Sequence, residues 1–104
     1  MAALSSILRS SEGGGLAFRC PGCNRVHRIA VGQGGWWWNG NAELPTFTPS
    51  ILVSYDGADA GRNGAPPAVC HSYVTNGRIQ FLGDTTHALA GQTVDIPPFD
   101  EEGV

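Results

Sequence analysis

Apolar and polar positions alternate in short runs along this chain, and no run keeps a helical period for long. Residues 16–20 (LAFRC) and 26–31 (VHRIAV) flank a CPGC turn and predict the two strands of a hairpin. Alternation in the second strand puts His27, Ile29 and Val31 on one face and Val26, Arg28 and Ala30 on the other. GGWWWNG then predicts a short aromatic strand between glycine turns, with Trp36 and Trp38 pointing one way and Trp37 the other. At least one of the three therefore lies near the surface.

ELPTFTPSILVSY, at residues 43–55, predicts a turn followed by a strand, and Pro45 and Pro49 limit ladder donation in its first half. That implies an edge strand or a bulge. Two β-rich runs at 68–75 and 78–82 are joined by Asn76-Gly77, the pair favoured by a tight type I′ turn. DTTHALAG, at 84–91, predicts one helical turn capped by Asp84 and ended by Gly91. Residues 93–96 add a last short strand. The predicted fold is mainly β: a small antiparallel β-sandwich or open barrel with a zinc knuckle and one short helical turn.

Composition agrees with short elements and many turns, since 104 residues include 15 glycines and seven prolines. This length holds one domain, expected over residues 16–98, with a flexible N-terminal lead at 1–15 and an acidic tail at 99–104. The loop at 56–67 (GADAGRNGAPP after Asp56) has no apolar content to anchor it and reads as the most mobile segment. The lead has no basic region ahead of its apolar patch, so it is not read as a secretory signal. No apolar run approaches 18 residues, which argues against a membrane span, and a cytoplasmic location is expected.

The net charge is −3 and the arginines are scattered, so the basic face that nucleic acid requires is missing. All six basic residues are arginine. The absence of lysine fits either a GC-rich coding sequence or avoidance of amine acceptors in a lysine-modifying pathway.

The soft ligands are Cys20, Cys23 and Cys70 with His27, His71 and His87. A C-x-x-C pair with a distant third cysteine suits structural zinc held by three thiolates and one imidazole. A redox pair would normally open a helix, and none is predicted after Cys23. Cys70 and His71 are neighbours on one strand, so they leave by opposite faces and cannot share an ion without a bulge. His27 is the first choice for fourth ligand and His87 the second. Against the ligand role, His27 also reads as a packed core histidine.

The string CPGC-x3-H, PTFTPSILV, CHSYVTNGRIQFL and DTTHALAG spans most of residues 18–96. In that order it resembles a family of small phage and prophage proteins often labelled ammonia monooxygenase. The label has no support in the residues, because a membrane copper oxygenase needs spans and a histidine-rich site. The same family is similar to the peptidase component of bacterial ubiquitin-like (Bub) conjugation operons. The resemblance implies a protease acting on a ubiquitin-like protein, at its C-terminus or on a conjugate, in a bacterial or antiphage setting. Thr85 departs from relatives that carry cysteine or serine there, which excludes a fourth thiolate at that position.

Acyl transfer needs a nucleophile, a base and a group that orients the base. Ser50 follows a proline at the start of its strand and is the candidate nucleophile, although a strand-start hydroxyl bonded to backbone reads equally well. His71 and His87 are the candidate bases, and Asp84 stands three residues before His87, either orienting it or capping the helical turn. Catalytic zinc is a weaker option, since three thiolates make a poor Lewis acid and H-E-x-x-H is absent. The competing reading is a non-enzymatic zinc-binding phage protein, a protein-interaction or virion-associated module with Trp36–Trp38 at its interface.

Overall fold

A computed structural model describes residues 2–54 and 69–99. The expected loop at 56–67 and residues 100–104 of the expected tail lie outside the described residues. The protein is mainly β, built as two antiparallel sheets.

The first sheet runs in chain order through β1 (Ala2–Ala3), β2 (Arg9–Ser10), β3 (Gly15–Cys20) and β4 (Arg25–Ala30). The second runs likewise through β5 (Trp37–Trp38), β6 (Phe47–Ser54), β7 (Val69–Thr75), β8 (Arg78–Phe81) and β9 (Thr93–Asp95). Alternation decides which side chains enter the space between them. In β4, His27 and Ile29 are buried while Arg25, Arg28 and Ala30 face water. In β7, Cys70, Ser72 and Val74 are buried while Tyr73 and Thr75 are exposed. Phe18 of the first sheet stacks on Phe47 of the second, with ring centroids 6.3 Å apart, and both are fully buried. This face-to-face contact makes the molecule a β-sandwich.

The Asn76-Gly77 hairpin forms as the sequence dictates. Asn76 and Gly77 have φ of 51° and 78°, as a type I′ turn requires at both central positions. Thr75 pairs with Arg78 across it. The proline-bearing strand β6 is a central strand, not an edge. It pairs with β5 on one side and β7 on the other, and its register shifts between Phe47 and Ile51. Two more residues stand on β6 than on β7 across that interval, which is the expected bulge. Ser50 lies within it.

Two expectations are corrected. Residues 2–10 are not a free lead. They form a hairpin continuing the first sheet, and Leu8 is fully buried. Ser5 holds the connection: its Oγ accepts from the amides of Ile7 and Leu8 and donates to the Ala42 carbonyl at 2.7 Å. Arg9 also lies over the Phe99 ring at 4.7 Å, joining the two ends of the described chain.

Residues 84–91 form turns rather than a helix. The reason is in the side chains. Thr85 Oγ1 accepts from the His71 amide at 3.0 Å and donates to the His71 carbonyl at 2.9 Å. Thr86 Oγ1 treats the Val69 backbone the same way, at 3.0 and 3.2 Å. Hydroxyls that bond to a neighbouring strand compete with helical bonding, and here they prevail.

Candidate active site and metal centre

Strand β7 separates two clusters of polar side chains, because successive residues leave it on opposite faces. Cys70 turns inward and His71 outward, as their adjacency predicts.

On the inner side, Cys20, Cys23, Cys70 and His87 bring one ligand atom each to within 4.8 Å of one another. The Cys20 and Cys70 sulfurs are 3.8 Å apart, and His87 Nε2 is 3.6 Å from the Cys70 sulfur. The CPGC knuckle is shaped by its own backbone. The Asn24 amide donates to the Cys20 carbonyl at 2.9 Å, and the Cys23 amide points at the Cys20 sulfur at 3.4 Å. Asn24 closes the turn at φ 58°, a left-handed conformation that asparagine tolerates. Gly22 is required for a different reason. A Cβ there would overlap the His87 ring at Cε1, so the imidazole packs against a bare glycine.

The chemistry of this donor set calls for a cation. The Cys23 and Cys70 thiols donate to Cys20, favour its thiolate and pull its pKa far below the ordinary thiol value of 9.0. The same bonds from Cys20 and Cys23, with burial added, push Cys70 upward. Thiols packed this closely titrate against one another, and a bound cation is what lets all three ionise. The four side chains are thus suited to hold a metal ion.

His27, the expected fourth ligand, is not in this group, and His87 takes its place. His27 pairs with Phe18 across the β3–β4 ladder and sits edge-on to its ring at 5.6 Å, level with the core. It still reaches Cys20, whose thiolate it favours. His87 is delivered by the turn after β8. Its ring packs edge-on against Phe81 at 4.4 Å, and its Nδ1 accepts the Leu89 amide at 3.2 Å. That leaves Nε2 aimed at the sulfurs.

On the outer face of the same strand, Ser50 Oγ lies 3.0 Å from His71 Nε2. His71 Nδ1 lies 3.0 and 3.1 Å from the two carboxylate oxygens of Asp84. A carboxylate only accepts, so Nδ1 carries the proton and Nε2 accepts from the serine hydroxyl. Serine, histidine and aspartate are therefore linked in one hydrogen-bonded chain, the order that a nucleophile, base and orienting acid take in serine hydrolases. Asp84 serves His71 and not His87, contrary to the pairing expected from their spacing, and it does not cap a helix. His87 belongs to the sulfur cluster and does not face Ser50. The side chains of His71 and Asp84 are 24% and 59% exposed, so this cluster is open to a large substrate.

A family model described as bacterial ubiquitination-like system serine protease (BubE) matches residues 3–82. The chain belongs to that family. The matched segment contains Ser50, His71 and all three cysteines, while Asp84 and His87 follow it. The serine in the BubE description agrees with a chain in which one hydroxyl meets a histidine–aspartate pair. No curated protein and no solved structure matches the chain.

Two supporting residues were not anticipated for these roles. Trp36 Nε1 donates to the carbonyls of Pro49 and Ser50, at 3.0 and 3.3 Å, and so fixes the bulge that presents the serine. Thr85 brackets the His71 backbone as described above. Trp36 was legible only as one of three adjacent tryptophans, and Thr85 only as a position without a thiol.

Proposed function

We propose that this chain is a serine-type peptidase, stabilised by structural zinc, that cleaves a ubiquitin-like protein from a precursor or conjugate. The observation that carries the reading is the continuous Ser50–His71–Asp84 hydrogen-bonded chain in a member of the BubE family. Its partner is a ubiquitin-like protein. Cys20, Cys23 and Cys70 form no disulfide with one another, which suits a reducing bacterial cytoplasm as the place of action.

Ser50 is the nucleophile. As Oγ attacks the scissile carbonyl, His71 Nε2 takes its proton, and Asp84 stabilises the imidazolium through Nδ1. When the tetrahedral adduct collapses, the same proton passes to the departing amine and leaves an ester on Ser50. Water then attacks the ester as His71 Nε2 takes one of its protons, and collapse of this second adduct returns that proton to Ser50 Oγ and releases the acyl portion as its carboxylic acid.

The second cluster supports this arrangement. A tetrahedron with zinc–sulfur bonds of about 2.3 Å and zinc–nitrogen bonds of about 2.0–2.1 Å has edges of about 3.8 and 3.6 Å. The S···S and S···N separations of 3.8 and 3.6 Å fit those edges. Cys20, Cys23, Cys70 and His87 would hold the ion with no open position, and it would supply cross-linking rather than chemistry.

The test is cleavage of a ubiquitin-like protein extended past its C-terminus, with metal content measured on the same samples. Wild type should release the extension, and Ser50→Ala and His71→Ala should lose on the order of 10⁴–10⁶-fold in rate. All three should retain one zinc. Cleavage that survives Ser50→Ala, or no cleavage by wild type, would overturn the reading.

A further inference from the structure

The sheet order fixes which way a substrate must lie across Ser50. β6 carries the serine, β7 lies on one side of it with His71, and β5 lies on the other. The base that takes the serine proton later hands it to the leaving amine, so the leaving group sits over His71. The acyl portion of the substrate must then extend toward β5.

On that side a shallow concavity of about 180 Å³ is lined by Gly34, Gly35, Trp36 and Pro49. Its lining residues neighbour the nucleophile: Pro49 precedes Ser50 in β6, and the Trp36 indole bonds to the carbonyls of both. Among the described residues no ionisable side chain lines it, and its walls are an indole, a pyrrolidine ring and two bare glycine backbones. Gly34 has open space where a side chain would stand, so the floor is accessible. Pockets for drug-sized ligands run from roughly 300 to 1,000 Å³, so this one accommodates a single residue.

We infer that this concavity is the acyl-side specificity site, receiving one uncharged, apolar residue immediately before the scissile bond. The inference rests on Ser50 being the nucleophile. A charged residue there would lose hydration against Trp36 and Pro49, with no charged partner among the described lining residues to compensate it. Trp36 then has two roles: its N–H positions Ser50, and its ring forms the wall of the site.

The test uses phosphonate esters that react with an activated serine and differ only in the side chain at the acyl-side position. A simple fluorophosphonate without a side chain serves as reference, with adducts mapped to residues by mass spectrometry. Leucine-type and phenylalanine-type reagents should label Ser50 at least about tenfold faster than aspartate-type or lysine-type reagents. Trp36→Phe should slow every reagent yet keep the ranking, whereas Trp36→Leu should shrink the advantage of the aromatic reagent. Equal rates across the series, with the fluorophosphonate still labelling Ser50, would overturn the specificity site and leave the nucleophile standing. If no reagent labels Ser50, nucleophile and specificity site fall together.

Discussion

At the scale of single residues, the sharpest constraint is the contact between Gly22 and the His87 ring. Gly22→Ala would drive a methyl into the His87 imidazole, and the ring would have to move away from the sulfurs. We expect zinc affinity to fall at least tenfold, as measured by competition with a chromophoric chelator; unchanged affinity would remove His87 from the ligand set. Asp84 makes a second case. Asp84→Asn keeps the shape but weakens the bond that holds the His71 proton on Nδ1, and kcat should fall on the order of 10²–10⁴-fold. The KM should change little, which steady-state kinetics would show. The sequence made the cysteines and Ser50 legible through spacing and a preceding proline. It did not reveal which histidine serves which cluster. His27 stands four positions from Cys23 in the chain, but His87, 17 positions from Cys70, is the one brought to the sulfur by folding.

Secondary structure was legible where one local interaction decides the outcome. The Asn76-Gly77 turn needs two left-handed residues and has them. The opposed directions of Cys70 and His71 follow from the pleat alone. Residues 84–91 were misread because their fate depends on contacts with β7, which no local pattern records. Thr85 is the clearest instance, since its hydroxyl closes both backbone groups of His71. Thr85→Val preserves shape and removes both bonds, leaving a buried amide unpartnered by that hydroxyl. It should destabilise the fold by about 1–3 kcal/mol and lower kcat through a misplaced His71. Thr85→Ser should restore most of both. Chemical denaturation alongside kinetics separates the two effects, and a fully active Thr85→Val would show that the bracket does not position the base.

Over the whole molecule, the candidate metal centre joins parts that are far apart in sequence. Cys20 ends β3 of the first sheet, Cys23 stands in the turn that follows it, Cys70 comes from the second sheet, and His87 from the turns that also carry Asp84. A small sandwich gains much from such a cross-link, because its core is limited. Chelation should cost a few kcal/mol and lower Tm by roughly 10–20 °C. Cleavage should fall with it, since releasing His87 loosens the segment that holds Asp84 against His71. Zinc should restore both, and a Tm indifferent to chelator would contradict a structural ion. The sandwich itself was foreseeable from the alternating runs. The place of residues 2–10 in its first sheet was not, since Leu8 finds its partners only after β3 and the Ala42 turn are in place.

The central claim is that Ser50 is activated by His71 on the outer face of β7, and its most direct test is covalent labelling of the pure protein by a fluorophosphonate. Wild type should form one adduct rapidly, on Ser50, and His71→Ala should lose it while the zinc content stays at one per chain. An adduct on another residue, or labelling of Ser50 that is indifferent to His71, would contradict the claim.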